Sequence, residues 1–249
     1  LDHPAAGGGD GVTPAGSLFG EAPARDPRFE VKERWADMRN IPEGDRLATQ
    51  EFLHRQMNEE VNSIEISARN LVDFPDAPWE LRMAMARQCW DESRHVVAFR
   101  RLFEGRGGKV GEFPVLNFQY RIVTNLRSLA GRLTVQNRSF EAAGIDAIKD
   151  GIDSYGEAHE AEFVELFEAQ LADEVQHVRY ANEWVKRLVE EGGPRVVFEI
   201  ARAVAQADEA LKIVAGGALT TYPVADDVRR EAGFTDEEID SVHSLVEHD

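Results

Sequence analysis

Apolar positions recur at steps of three and four along most of this chain, the period of an α-helical face. After Pro42 the stripe Leu53, Met57, Ile64, Ser67 and Leu71 predicts a helix that ends before Phe74-Pro75. Asp76-Ala77-Pro78-Trp79-Glu80 reads as a helix start, with Asp as cap, Pro early and Glu in the first turn. The helix it opens carries Leu81, Met85, Gln88, Glu92, His95, Phe99 and Leu102 on one face and runs to Gly105, ahead of Gly107-Gly108. A loop through Phe113-Pro114 leads to a third helix ending near Gly151, with Gly131 and Gly144 as candidate interruptions. A fourth helix, from about Ser154 to Glu191, presents Phe163, Phe167, Gln170, Glu174, His177, Ala181, Trp184 and Leu188 and stops at Gly192-Gly193-Pro194. A fifth is expected over Arg195 to Val214, and Thr235-x-x-Glu238 is a capping box for a last short helix. A short helix is also expected over Phe29 to Met38, and no segment reads as a strand. The fold class is all-α, a four-helix bundle of two duplicated helix pairs with extra C-terminal helices. Three parts are expected: a flexible N-terminal arm over residues 1–25, rich in Gly, Pro and Ala, the helical bundle over 26–213, and a helical extension over 214–249.

The polar residues that interrupt the apolar stripes carry the chemistry. Asp91-Glu92-Ser93-Arg94-His95 and Asp173-Glu174-Val175-Gln176-His177 are two copies of Asp-Glu-x-x-His at an offset of 82 residues. Each follows a Glu on another apolar face. Glu60 lies on Leu53, Met57, Ile64 and Leu71; Glu141 lies on Leu126, Ala130, Leu133, Asn137, Gly144 and Ile148. A Glu and a His three apart project from the same side of a helix one turn apart, so both can reach one ion. A buried ionised Glu costs several kcal/mol unless it is compensated. Two apolar stripes that each bury one, with two more carboxylates upstream, are most simply explained by a dinuclear metal centre inside a helical bundle. The candidate metal-ligating and catalytic residues are Glu60, Glu92, His95, Glu141, Glu174 and His177.

Neighbouring residues have bland readings beside sharp ones. A lone Glu-x-x-His is ordinary helix surface, and Glu51-Phe52-Leu53-His54 has no Asp before it and no upstream Glu partner. His54 is still near enough to the Glu60 face to stand as an outer group. Glu59 keeps the 82-residue offset to Glu141, but its face is Phe52, Gln56, Ser63 and Asn70, so Glu60 is favoured. Glu65 reads as an interhelical or outer carboxylate, and Glu157, His159 and Glu160 as the solvated start of the fourth helix. Asp91 and Asp173 are expected behind the ligands, since a ligating His donates its free ring N–H to a carboxylate or carbonyl. With antiparallel helices Asp91 would serve His177 and Asp173 would serve His95. Gln88 and Gln170 line the cavity or hydrogen-bond in the core, and Tyr180 is either packed or close enough for redox use. Cys89 and Trp90 read as core, and Gly144 as a gap for a small molecule or a close helix contact.

Composition narrows the partners. The 28 Lys and Arg against 46 Asp and Glu give a net charge of −18, which repels phosphate backbones and disfavours nucleic acid. No apolar run approaches the about 20 residues that cross a bilayer, so no membrane partner is expected. Cys89 is the only cysteine, which excludes an internal disulfide and suits a reducing, cytoplasmic setting.

Over residues 45 to 192 the ligand order resembles the ferritin-like superfamily of di-iron carboxylate proteins. Asp91-Glu92-Ser93-Arg94-His95 also resembles the motif of bacterial multicomponent monooxygenases and related oxidases. The chain is more closely similar to a poorly characterised ferritin-like family of unknown function. That likeness is carried by Leu53-His54, Glu60, Ile64-Glu65, Asp76-Ala77-Pro78-Trp79-Glu80, Phe140-Glu141-Ala142-Ala143-Gly144-Ile145-Asp146, the run Asp173 to Tyr180, and the tail Arg229-Arg230-Glu231-Ala232-Gly233-Phe234. It implies a ferritin-like bundle and a metal site, without a substrate. Hard oxygen donors with two imidazoles suit two iron ions, or manganese at one position. The expected activity is that of an oxidoreductase, a di-iron oxidase or oxygenase with dioxygen as co-substrate and a small organic molecule as substrate. An external electron donor and a homodimer are the expected partners. The alternative is a ferritin-type storage or ferroxidase protein without an organic substrate. Met57, Met85, Phe99, Phe140, Phe167 and Tyr180 are the candidate pocket walls.

Overall fold

Asp45 opens the first long helix: its carboxylate accepts the Leu47 backbone N–H at 2.8 Å, satisfying a donor that a helix start leaves free. The computed structural model describes residues 22–39, 41–42, 45–216 and 221–246. A two-residue strand β1 (Val31–Lys32) and a 3-10 turn (Trp35–Asp37) precede α1 (Arg46–Asp73) and α2 (Trp79–Gly105). Strand β2 (Val115–Leu116) pairs in parallel with β1. Next come α3 (Phe118–Thr124), α4 (Leu129–Leu133), a π-helical segment (Thr134–Glu141) and α5 (Ala142–Glu157). The chain closes with α6 (Ala161–Gly192), α7 (Pro194–Ala215), α8 (Asp226–Glu231) and α9 (Asp236–Val246). The architecture is all-α. Its two dominant helix pairs are α1 with α2 and α5 with α6, joined through α2 against α6.

The core explains why the four central helices converge. Along α2 the buried face runs Leu81, Met85, then Gln88, Glu92, His95, then Phe99, Phe103. Along α6 it runs Phe163, Phe167, then Gln170, Glu174, His177, then Ala181, Val185. The helices are antiparallel, so Phe99 and Phe103 meet Phe163 and Phe167 in one apolar cluster, with Leu53 and Met57 of α1. Leu81 and Met85 meet Ala181, Val185 and Leu133 in another. A polar layer is therefore held between two apolar ones. Burying each large side chain of those clusters contributes roughly 1.5–3 kcal/mol.

Several boundaries differ from the sequence reading. The segment Phe29 to Met38 forms β1 and the 3-10 turn rather than a helix. Helix α2 begins at Trp79 with Pro78 at the cap and no side-chain cap, so Asp76 is not the capping residue. The long third helix breaks at residues 125–128, and Ser128 Oγ then caps α4 by accepting the Gly131 N–H at 3.1 Å. Gly131 is not an interruption. A Cβ there would stand 2.7 Å from Ala203 Cβ, so it lets α4 lie against α7. Gly144 is not one either, and a Cβ there meets nothing within 4 Å, which removes the close-contact reading. Helix α5 continues to Glu157 and α6 starts at Ala161, so Glu157 ends α5 and His159 and Glu160 lie in the connection between them, where His159 takes φ 60°.

The tail docks on the second helix pair. Arg229, buried on α8, donates to Asp146 of α5 at 2.6–3.2 Å and to the Ala142 carbonyl at 3.2 Å. The expected capping box is present: Glu238 N–H donates to Thr235 Oγ1 at 3.2 Å and Thr235 N–H to Glu238 Oε2 at 2.9 Å. Of the expected N-terminal arm, residues 1–21 lie outside the described residues. Arg25 donates to Asn58, Asn62 and Glu65 of α1 at 2.7–2.8 Å.

Candidate metal centre

Four helical segments each deliver a carboxylate to the polar layer: Glu60 from α1, Glu92 from α2, Glu141 from the end of the π-helical segment, and Glu174 from α6. All four are buried, as are His95 and His177. The donors fall into two overlapping groups that could each hold a metal ion. One is Glu60, Glu92, His95 and Glu174; the other is Glu92, Glu141, Glu174 and His177; within each, the donor atoms lie within 4.8 Å of one another. Glu92 and Glu174 belong to both. The imidazole centroids are 6.4 Å apart.

Each imidazole turns Nδ1 inward and Nε2 outward. His95 Nδ1 lies 3.0 Å from Glu92, 3.2 Å from Glu60 and 3.7 Å from Glu174. His177 Nδ1 lies 3.4 Å from both Glu92 and Glu174. On the outer side His95 Nε2 meets Asp173 at 3.1 Å and His177 Nε2 meets Asp91 at 3.3 Å. Each Asp therefore serves the imidazole of the other half. Arg94 donates to both Asp91, at 2.7 Å, and Asp173, at 2.6 Å, and Arg87 Nε donates to both carboxylate oxygens of Asp91 at 2.8–2.9 Å.

A layer of amides fixes the outer carboxylates. Gln170 Nε2 donates to Glu60 at 2.8 Å, and Gln88 Nε2 donates to Glu141 at 2.5 Å and to Glu92 at 3.0 Å. Asn137 and Gln136 also donate to Glu141, at 2.6 and 3.1 Å. Tyr180 O–H donates to Gln88 Oε1 at 2.5 Å, so the phenol touches the amide layer rather than the donor cluster. On the other side Gln170 Oε1 is buried without a hydrogen-bond partner.

The electrostatics describe a site short of positive charge. Burial, reinforced by the other carboxylates, raises Glu60, Glu141 and Glu174 above the ordinary Glu range, Glu60 and Glu141 by far the most. Burial also opposes ionisation of Glu92, but the two imidazoles outweigh it and lower its pKa. Burial alone would lower both histidines. The surrounding carboxylates reverse that, holding His95 protonated up to about 12 and raising His177 well above its usual value. At Asp91, burial is outweighed by His177, Arg87 and Arg94, and the carboxyl stays well below the usual range. Four buried oxygen ligands and two nitrogens that must share protons to coexist are a donor set matched to two divalent cations.

A family model described as "Protein of unknown function (DUF455)" matches residues 11–240. The chain belongs to that family. No curated protein and no solved structure matches it. For this DUF455 chain the bundle and its buried cluster are compatible with a ferritin-like fold.

The structure brings all six sequence-predicted donors together and leaves their rivals elsewhere. Glu59 pairs with Arg55 at 3.3 Å and Glu65 with Arg25 at 2.7 Å. His54 is not an outer group of the site. It packs among Phe29, Phe103 and Phe113, its Nε2 accepts the Gly111 N–H at 2.9 Å, and burial lowers its pKa to about 4. Trp90 is not core but 64% exposed, while Cys89 is half-buried with its thiol 3.6 Å from the Ile64 carbonyl. Of the candidate pocket walls, Met57, Phe99 and Phe167 share one apolar cluster, Met85 lies in the other, and Phe140 stacks edge-on to Phe118. Gln136 was missed because it lies five residues before Glu141, off that residue's α-helical face. The wider π-turn brings positions five apart into line. Arg87 and Arg94 were missed because charged residues on an outer helix face read as solvated.

Proposed function

We propose that the chain is a non-haem dinuclear-metal oxidoreductase that uses dioxygen to oxidise a small organic substrate, built on a ferritin-like bundle. The observation that carries the reading is the pair of overlapping donor groups sharing Glu92 and Glu174, each completed by one Glu and one inward-facing His nitrogen. Glu92 and Glu174 would serve both cations of a pair, and the hard donor set would suit iron, or iron with manganese. When bound, such a metal pair supplies two-electron redox chemistry toward dioxygen that no side chain here can perform.

The chain's own residues supply order, dryness and charge balance. Asp91 and Asp173 accept from the outer ring nitrogens, fixing both tautomers so that Nδ1 remains free for a metal. Gln88, Gln136 and Asn137 pin the Glu141 carboxylate, and Gln170 pins Glu60. The apolar layers formed by Leu81, Met85, Phe99 and Phe167 keep bulk water from the cluster. Hydroxylation, N-oxygenation, desaturation and oxidative cleavage are the reaction classes such a site serves.

Anaerobic loading with ferrous iron, followed by metal analysis, Mössbauer spectroscopy and measurement of oxygen uptake, tests the proposal. The expected result is about two ions per chain, a magnetically coupled pair and rapid oxygen uptake. Binding of less than one ion, or uptake that continues into a mineral core of many irons, would overturn it.

A further inference from the structure

Two glutamine oxygens behind the donor cluster are buried without a hydrogen-bond partner, Gln170 Oε1 on α6 and Gln136 Oε1 in the π-helical segment. The two residues are 4% and 1% exposed. What the amide nitrogens do fixes which way each oxygen turns. Gln170 Nε2 donates to Glu60 at 2.8 Å, and Gln136 Nε2 donates to Glu141 and to Ser63 Oγ, both at 3.1 Å. A third oxygen, Gln56 Oε1 on α1, is buried and unpartnered one turn before Glu60. An unmet buried acceptor costs stability, and three of them beside one site call for a donor that the chain does not supply.

The three oxygens flank one side of the bundle. Helix α1 packs on α2, α2 on α6 and α6 on α5, but α1 and α5 are not drawn together in that way. Rings close the seam between them at both ends: Phe52 of α1 lies 6.3 Å from Phe167, and Phe140 lies 6.1 Å from Phe118 of α3. Between those ends Gln56 shares the α1 face of Phe52 and Ser63, and on the opposite wall Gly144 lies one turn beyond Phe140. Further along that wall a Cβ on Gly151 would strike the Phe167 ring at 2.8 Å, whereas a Cβ on Gly144 meets nothing within 4 Å. The seam is therefore open at Gly144, one turn from Glu141.

From this arrangement we infer that the seam between α1 and α5 is where the organic substrate binds, and that the substrate carries a neutral NH2 group at its inner end. The inference rests on the oxidoreductase reading above and names the substrate class for it. The unmet atoms select the class. Gln56, Gln136 and Gln170 all offer acceptors, and one NH2 group brings two N–H donors. The carboxylates that could balance an ammonium are already engaged: Glu51 and Glu59 with Arg55 at 3.1 and 3.3 Å, and Glu60 with Gln170 and His95. Burying a cation against neutral amide oxygens alone is costly. Primary carboxamides and aromatic amines are the two common chemistries in which an NH2 group stays uncharged at pH 7, and Phe52 and Phe140 give the remainder of such a molecule an apolar wall.

The probes are benzamide and aniline, with acetophenone and toluene, in which a methyl replaces the NH2 group, and benzylamine, which is charged. Each is titrated onto the full-length chain loaded with zinc, which fills the donors without redox chemistry, and binding is read by calorimetry and ligand-observed NMR. Benzamide or aniline should bind about tenfold or more tightly than its methyl counterpart and than benzylamine, and whichever binds tells carboxamide from aromatic amine. Gln56→Met should erase that preference and leave the thermal midpoint equal or higher, because it removes an unmet acceptor. Gly144→Leu fills the opening and should weaken the NH2 probe by at least tenfold. Circular dichroism and zinc content should be unchanged in both variants, so that loss of binding is separated from loss of fold. Equal binding of the NH2 and methyl probes, a preference that survives Gln56→Met, tighter binding of benzylamine, or binding untouched by Gly144→Leu overturns the inference. The two readings fail separately. Selective binding to the zinc form with no oxygen uptake by the iron form would sink the oxidoreductase reading and leave the seam as a binding site, whereas oxygen uptake without selective binding would sink the seam alone.

Discussion

His95 and Asp173, 78 residues apart in the chain, meet at 3.1 Å between Nε2 and Oδ2, and His177 with Asp91 repeats the arrangement at 3.3 Å. The second helix pair thus orients the first pair's imidazole, and the reverse. Asp91→Asn and Asp173→Asn should each weaken metal binding by about 10–100-fold without unfolding the chain. Competition against a chelator of known affinity measures this; unchanged affinity in both variants would show that the contacts do not support the ligands.

The shared carboxylates differ from the unshared ones in what their loss removes. Glu92→Ala and Glu174→Ala each strip both donor groups and should leave almost no bound metal. Glu60→Ala and Glu141→Ala each damage one group and should leave about one ion. Glu59→Ala should bind metal normally. Retention of full metal content by Glu92→Ala or Glu174→Ala would show that the donors are wrongly assigned.

Metal uptake should expel protons. His95 holds its proton up to about 12, and burial pushes Glu60 and Glu141 well above the ordinary Glu range and Glu174 upward with them, toward their protonated forms. Cations must displace these protons, so affinity should fall as pH falls. Calorimetry at one pH in buffers of different ionisation enthalpy reads the number released, and a value near zero would contradict the balance of charge described above.

His54 supplies a separate acid response. Its folded pKa of about 4 lies below the ordinary imidazole value of 6.5 because burial opposes its charge, so between these values the unfolded chain binds the proton and the folded chain does not. Its contribution is fully present above pH 6.5 and is lost as pH falls toward 4, by about 3 kcal/mol at most. Urea denaturation of the chain and of His54→Leu at pH 7 and pH 4.5 isolates it: the variant should lose less stability across that interval. Parallel losses would rule this histidine out.

The buried pair Asp146–Arg229 should be costly to break from one side. Arg229→Met leaves an uncompensated carboxylate and should cost about 3–5 kcal/mol, whereas Asp146→Leu with Arg229→Met should recover much of it. Thermal denaturation of the single and double variants decides this, and equal losses in both would mean that packing rather than charge holds the tail.

Much of this architecture was readable because two periodicities coincide on it. The faces of α2 and α6 each carry a Gln, a Glu and a His at matching places between apolar residues, and only a helix brings those positions into line. Glu60 was preferred over Glu59 by the same reasoning, and the structure puts Glu60 in the cluster and Glu59 on Arg55. The misreadings have local causes. The Phe29–Met38 segment has helix-compatible residues, but the parallel pairing of Val31 with Val115 overrides them from 84 residues away. The break at 125–128 and the π-turn before Glu141 leave no mark in apolar spacing. Trp90 looked like core because a tryptophan next to a buried motif usually is, yet its own turn of α2 faces outward.

Asp146 is made long before Arg229, and during synthesis it must wait for its partner while some eighty residues follow. A carboxylate cannot be sealed away from water uncompensated. The same arginine also donates to the carbonyl of Ala142, the neighbour of Glu141. One side chain of the tail thus fastens the start of the helix that follows a donor carboxylate, so the tail closes the same part of the bundle that the cage occupies.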